Sequence, residues 1–151
     1  MNYDIQLNLP QGWQKEADSY LDESGFEITH AQAHLYNTAK KKDDALIDIY
    51  VGDMPEDSTA EDQAFSNYAD IVGFEDDDPE DFDPIAKIKF NGRNAYGFSA
   101  LCEDESPMMF LSQEVKGGVL AIICAVAATD EMLQQVMQLV EKGFRVKINE
   151  E

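Results

Sequence analysis

The sequence predicts a single α+β domain over residues 1–151, with a mainly antiparallel β-sheet flanked by two long helices. We expect about six to seven strands in this sheet. Three observations predict this fold class. Segments of alternating apolar and polar residues are joined by short hairpin signals, and two other segments repeat their apolar residues with helical spacing. Hydrophobic residues make up 44% of the chain, which is ordinary for a folded domain of this length.

The first element is predicted to be a half-buried strand. One face would carry the alternating apolar residues Tyr3, Ile5, Leu7 and Leu9. Pro10 ends this strand, and Trp13 is expected to anchor the following loop to the core through its large apolar area. We expect a short helix over residues 14–23, although its apolar stripe is narrow.

Two further strands are predicted at Ala31–Thr38 and Ala45–Val51, with a charged hairpin loop between them. The two histidines, His30 and His34, lie in or near the first of these strands. We expect His34 to lie on the strand and His30 to precede it, so the pair would not share the helix face that a two-histidine metal site at this spacing needs. The prediction is a partly exposed pair.

The first long helix is predicted to begin at a capping box formed by Ser58 and Glu61. It would continue to Gly73, and its apolar stripe would consist of Ala64, Phe65, Tyr68, Ile71 and Val72. The segment 75–84 follows, and its carboxylates and two prolines predict a solvated loop.

The second half of the chain is predicted to form an antiparallel meander and a helix. The strands would be Ala86–Phe90, Arg93–Cys102, Met109–Val115 and Val119–Ala127, with Asn91-Gly92 as a strong hairpin signal. Because Val119–Ala127 is apolar throughout, it should be central and covered on both faces. Thr129 then caps the second helix, Gly143 ends it, and a last strand over residues 144–148 follows.

This order of elements, together with the Leu-Pro-x-Gly-Trp motif at Leu9 to Trp13, resembles the PsbP-like architecture. That architecture is found in extrinsic subunits of photosystem II and in a nuclear-import factor that binds the small GTPase Ran. The resemblance covers most of the chain and implies the fold. The sequence has no residue set that matches a photosystem or Ran interface, so no site is transferred, and the family's members are mostly not enzymes.

Negative charge is concentrated in the first half of the chain. Of the 31 acidic residues, 22 precede Pro84, where the only basic residues are four lysines. The first 84 residues therefore carry a formal charge of −18 and the remaining 67 carry −2. This field repels nucleic acid and anionic lipid, so we expect neither as a partner, and it favours a basic protein. The alternative is that the charge serves only solubility.

The segment with the highest density of acids is the predicted partner-binding site. It would use Asp76, Asp77, Asp78, Glu80, Asp81, Phe82 and Asp83. Phe82 would either anchor a partner or pack into the core. A calcium-binding structural domain is an alternative, but the segment lacks the glycine and ligand spacing of an EF-hand loop. We predict no metal or other cofactor.

The sequence contains no recognisable catalytic motif, and we expect a non-catalytic binding or accessory module. Ser99 lies within a strand and, although Gly97 precedes it, lacks the second glycine of a nucleophile elbow. Acidic neighbours disfavour a reactive thiolate at Cys102. A hydrolase or small-ligand-binding enzyme with an apolar pocket lined by His34, Tyr36 or Ser99 is the alternative.

The N-terminal residues, the length of the apolar runs and the two cysteines predict where the protein resides. The N-terminal residues have neither a basic region nor an apolar run, and no segment approaches the roughly 20 apolar residues of a membrane span. One intervening strand would also keep Cys102 and Cys124 beyond disulfide reach, so both should be thiols. We therefore expect a cytoplasmic protein.

Overall fold

The computed structural model describes residues 3–21, 23, 25, 27–39, 41–54, 59–64, 86–90, 92–101, 106–116 and 118–148. A seven-stranded antiparallel sheet with the order β2-β3-β4-β8-β7-β6-β5 forms the body of the domain, and β1 and β9 form a separate two-stranded antiparallel sheet. The nine strands within these residues are β1 (Tyr3–Gln6), β2 (Trp13–Leu21), β3 (Glu27–Asn37), β4 (Lys42–Asp53), β5 (Ala86–Phe90), β6 (Arg93–Leu101), β7 (Pro107–Lys116), β8 (Val119–Ala127) and β9 (Arg145–Ile148).

One face of the large sheet carries the main core. Helix α2 (Asp130–Gly143) packs there through Leu133, Val136 and Val140, and its stripe meets the buried side chains of β4 and β8. The small β1–β9 sheet joins the same core, where Tyr3 donates a hydrogen bond to Asp53 Oδ1 at 2.5 Å.

The predicted N-terminal cap of α2 is confirmed, because Thr129 Oγ1 accepts from the Met132 amide at 3.1 Å.

A second, smaller core lies on the opposite face. It contains the buried Phe98, Met108 and Phe110, and the Phe98 and Phe110 rings stack with centroids 4.9 Å apart. The first helix, α1, is described over residues 60–64, and its Ala64 joins this cluster. The two cores therefore place the large sheet between α2 on one side and α1 on the other.

The cap of α1 lies one residue later than predicted. Thr59, and not Ser58, supplies the hydroxyl, because Thr59 Oγ1 accepts from the Asp62 amide at 3.1 Å. The Asp62 carboxylate accepts from the Thr59 amide at the same distance. The two reciprocal hydrogen bonds of the capping box therefore join Thr59 and Asp62, which have the same spacing as Ser58 and Glu61. Asp62 takes the role expected of Glu61.

The short helix predicted over residues 14–23 is wrong. Residues 14–21 instead form most of β2, which pairs with β3 in unbroken register from Trp13 opposite Leu35 to Leu21 opposite Glu27. A helix is stabilised mainly by burying an apolar face, and residues 14–21 have almost none to bury. A strand at the edge of a sheet needs only the backbone ladder to its neighbour.

Strand β3 begins at Glu27, four residues before the predicted start. His30 therefore lies inside the strand, and the prediction that it precedes the strand is wrong. Ala31 and Ala33 are buried on the core face, so His30, His34 and Tyr36 all lie on the opposite face. The remaining strands of the first half occur where expected, with β4 longer at both ends and β1 shorter at its C-terminal end.

The meander of the second half is confirmed. Strands β5 to β8 pair in sequence order, and β8 occupies the fourth of seven positions in the sheet. Alternate β8 residues are buried in the main core, while Ile122, Cys124 and Val126 are half-buried on the other face. The mainly antiparallel α+β fold is therefore confirmed, whereas the first helix beyond residue 64 and the segment 75–84 lie outside the described residues.

Candidate functional site

The polar face of strands β2, β3 and β4 is the strongest candidate for a functional surface. Its side chains point away from the main core, because the alternating partners on these strands include the buried Ala31, Ile47 and Ile49. We call this surface the acidic sheet face, and it comprises Gln14, Glu16, Asp18, Tyr20, His30, Gln32, His34, Tyr36, Asp43, Asp48 and Tyr50. The other positions of these strands on this face are Ile28, Leu46 and Gly52, so none of them holds a lysine or arginine.

His30 lies at the centre of this face and contacts residues of both neighbouring strands. Its Nε2 lies 2.8 Å from Asp48 Oδ1 on β4, and its Nδ1 lies 3.6 Å from Asp18 Oδ1 on β2. Gln32 Nε2 donates to the same Asp48 oxygen at 3.0 Å. The imidazole also stacks on the Tyr50 ring, with centroids 4.4 Å apart and planes 7° from parallel. These contacts fix the histidine and Asp48 against the sheet.

The second histidine makes a separate pair near the end of the same strand. His34 Nδ1 lies 3.0 Å from Asp43 Oδ1, across the point where the β3–β4 register shifts. Beyond it, Tyr36 is 46% exposed, and Tyr20 on β2 is 47% exposed. Two tyrosines, each nearly half exposed, therefore flank the carboxylates, and tyrosines are enriched at binding surfaces.

Burial raises the pKa of Tyr50, and the carboxylate of Asp48 contributes further to the rise. The Tyr50 hydroxyl therefore stays protonated at neutral pH and adds no negative charge to the face. The negative charge of the acidic sheet face comes from Glu16, Asp18, Asp43 and Asp48. Asp18 is the most accessible of the carboxylates that contact a histidine, with 76% of its side chain exposed.

A shallow pocket of about 360 Å³ opens on this face beside β2. It is lined by Glu16, Ala17, Asp18, His30 and Gln32. A second surface pocket of about 300 Å³ lies beside α2 and is lined by Asn8, Gln135, Gln138, Leu139, Lys142 and Gly143. The first pocket is acidic and open, and it suits a cationic group better than an apolar substrate.

The geometry around His30 does not favour general base catalysis. A catalytic base needs a ring nitrogen directed at the proton of a substrate. Both nitrogens of His30 face carboxylate oxygens, at 2.8 Å and 3.6 Å. The apolar pocket that the enzyme hypothesis requires does not coincide with either pocket above, since His34, Tyr36 and Ser99 line neither of them.

The predicted partner-binding residues Asp76, Asp77, Asp78, Glu80, Asp81, Phe82 and Asp83 lie outside the described residues, so that site stays a prediction. The described part of the chain holds no group of three or more His, Cys, Asp and Glu side chains placed to bind a metal ion. Cys124 is a half-buried thiol on β8, and Cys102 is not among the described residues.

The sequence contained one signal for the acidic sheet face that was missed. Polar residues at His30, Gln32 and His34 alternate with alanines at 31 and 33, which already indicates a strand that begins before Ala31. The contact between His30 and Asp48 depends on the pairing of β3 with β4, and the contact with Asp18 depends on β2 being a strand.

Comparison of the chain with protein-family models, curated proteins and solved structures finds no match. Among its described residues, no helix has both the length and the apolar character needed to cross a membrane. The functional argument therefore depends on the geometry of the acidic sheet face and on the charge distribution of the chain.

Proposed function

We propose that this protein is a non-catalytic binding module whose acidic N-terminal half contacts a basic protein. The acidic sheet face is the described part of the contact surface, and the segment 75–83 is its predicted continuation. One observation carries the proposal: four carboxylates and two exposed tyrosines share one face of three adjacent strands without any lysine or arginine.

The electrostatics of this face support a cationic partner. Strands β2 and β4 place Glu16 and Asp18 on one side of β3 and Asp43 and Asp48 on the other. The local field adds to that of a chain with a formal charge of −20. Charge complementarity of this kind accelerates association and selects against acidic partners, even where each exposed ion pair contributes little affinity.

The aromatic residues give the face a second way to bind cations. Tyr20 and Tyr36 lie at opposite ends of the face, and both expose nearly half of their surface. An arginine or lysine side chain can stack over such a ring, and the attraction is worth about 0.5–1 kcal/mol at an exposed site. The pocket between Glu16 and His30 offers a place for one such side chain to enter.

The test is to compare two variants with the same net charge. The first removes three exposed acids of the face (Glu16→Gln, Asp18→Asn, Asp43→Asn), and the second removes three exposed acids elsewhere (Glu61→Gln, Glu131→Gln, Glu141→Gln). Binding to a lysine- and arginine-rich peptide is measured by titration calorimetry at two salt concentrations. We expect the first variant to bind about tenfold more weakly and the second to bind within twofold of the parent protein, because each exposed ion pair is worth about 0.5 kcal/mol.

A third variant tests the predicted segment. Neutralising Asp76, Asp77, Asp78, Glu80, Asp81 and Asp83 while keeping Phe82 should weaken the same interaction and reduce its dependence on salt. Equal binding by all variants and by the parent protein would show that the acidity serves solubility alone. Equal weakening by the first two variants would show that net charge, and not this surface, attracts the peptide.

We also propose that the domain has the PsbP-like architecture and resides in the cytoplasm. The antiparallel sheet between helices and the Leu-Pro-x-Gly-Trp motif after β1 support the architecture. An experimental structure that superimposes on that family would test it. Localisation of the tagged chain in its native cells tests the second point, and enrichment in a membrane or extracellular fraction would contradict it.

A further inference from the structure

Strand β2 is the terminal strand of the large sheet, and within the described residues its only strand neighbour is β3. It is nine residues long, contains no proline and keeps unbroken register with β3. Every residue from Gln14 to Leu21 is exposed. The outer edge of such a strand presents backbone N–H and C=O groups that can pair with another extended chain.

Charge disfavours a second copy of this chain as the occupant of the edge. Two antiparallel β2 strands in one continuous sheet must be related by a two-fold axis perpendicular to the sheet, so each register is centred on one residue. Centring on Ala17 places Glu16 opposite Asp18 twice, and centring on Glu16 or Asp18 places that carboxylate opposite itself. Like charges directly opposite one another on a sheet are destabilising.

The same two carboxylates suit a basic strand. Glu16 and Asp18 are two residues apart and therefore point to one face, towards the His30 cluster. A partner strand with lysine or arginine at alternate positions would place its cations directly opposite both of them. A third cation at the next alternate position would reach Tyr20, which is 47% exposed.

From these observations we propose that the partner adds an extended segment with alternating basic residues to the edge of β2, as an eighth strand of the sheet. This inference rests on the proposed function and specifies its binding mode. Main-chain hydrogen bonds to β2 supply affinity, and alternate cationic side chains over the acidic sheet face supply specificity.

The test uses a seven-residue peptide in which arginine alternates with threonine, with a block isomer of the same composition as its control. Two further peptides are N-methylated, one at the arginine amides and the other at the threonine amides. Successive amides of a strand point to opposite edges, so only one set would face β2. We expect one methylated peptide to bind at least about tenfold more weakly and the other to bind within about threefold of the parent peptide.

The matched protein variant reverses the two charges by Glu16→Arg and Asp18→Arg. Both side chains are exposed, so we expect the variant to keep its fold, and circular dichroism checks this. It should bind the arginine peptide at least about tenfold more weakly than the parent protein does. It should also bind a peptide in which glutamate alternates with threonine, because the cross-strand charge pairs are restored with opposite sign.

Several outcomes would overturn strand addition. These are equal binding of the two methylated peptides, equal binding of the alternating and block peptides, or no binding of the alternating peptide. The proposed function fails separately, if removing the acids of the sheet face leaves binding of basic peptides unchanged. Binding that needs those acids but tolerates both methylations would retain the basic partner and exclude the added strand.

Discussion

The same face of one sheet has two chemically different halves. Over β2, β3 and β4 it carries carboxylates, histidines and tyrosines, and over β6, β7 and β8 it carries the cluster of Phe98, Met108 and Phe110. Helix α1 contributes Ala64 to the apolar half. Apart from β2, which is exposed on both faces, the strands of both halves bury their opposite face in the main core. The acidic half is therefore anchored by the buried residues of β3 and β4.

If the proposed function holds, stability and recognition are separated within one face. Removing buried apolar groups from the apolar half should destabilise the fold strongly, whereas changes in the acidic half should alter binding and leave the fold intact. Buried apolar area contributes far more to stability than exposed ion pairs do. Four measurements test this separation, and they follow in order of expected effect.

The largest effect is expected from Phe110→Ala in the apolar half. Phe110 is 2% exposed and stacks on Phe98, so truncation leaves a cavity and should lower the free energy of unfolding by about 3–5 kcal/mol. Urea denaturation measures this loss of unfolding free energy. Tyr36→Ala is the matched aromatic truncation in the acidic half, and because Tyr36 is 46% exposed, we expect a loss below about 1 kcal/mol. Equal losses for the two variants would contradict the separation.

The next effect concerns the helices on the two faces. Thr59→Ala removes the hydroxyl that accepts from the Asp62 amide, and we expect a loss of about 1 kcal/mol in unfolding free energy. Thr129→Ala removes the equivalent contact at the start of α2 and should cost about the same. No loss for Thr59→Ala, with a loss for Thr129→Ala, would show that the start of α1 contributes little to the apolar half.

A smaller effect should appear at alkaline pH. Burial raises the pKa of Tyr50 in the acidic half, and burial together with the Asp53 hydrogen bond raises the pKa of Tyr3 to about 12. The unfolded chain releases these protons near pH 10, before the folded chain does. The stability that the two protonated hydroxyls contribute is therefore complete below about pH 10, and it is lost as pH rises through the pKa values of the folded state.

Unfolding free energies measured between pH 9 and 12 would reveal this loss. Tyr50→Phe and Tyr3→Phe should each make the decline with pH less steep, because each removes one proton that the folded state retains longer. A decline of unchanged slope in both variants would mean that other groups cause the alkaline loss.

The smallest effect on stability is expected from Asp48→Asn. Asparagine keeps an oxygen of the same size where Asp48 Oδ1 accepts from Gln32 and faces His30 Nε2, so the loss should stay below about 1 kcal/mol. Binding of the basic peptide should weaken measurably in the same variant. A loss above about 2 kcal/mol would assign His30 and Asp48 a structural role and weaken the separation of the two halves.

How far the sequence predicts this structure differs between elements. Alternation identified β4, β5 and β9, because period-two patterns between turn residues are strong local signals, and a continuous apolar run identified β8. It failed at residues 14–21, where β2 is exposed on both faces and has no alternation to detect. Thr59 with Asp62 and Ser58 with Glu61 both fit a capping box, so the local pattern did not distinguish them.

For the candidate surface, the sequence by itself determined the excess of acids in the first half, the residues that alternate along β3 and the hydrophobic identity of β8. These are properties of composition and of one strand at a time. Only the tertiary structure decided that Asp18, His30 and Asp48 meet, that β2 is an open edge and that two faces of the sheet have separate cores. The reason is physical: strand pairing joins residues that are far apart in the sequence, such as Ala45 and Ala127, through backbone hydrogen bonds whose register no single segment specifies.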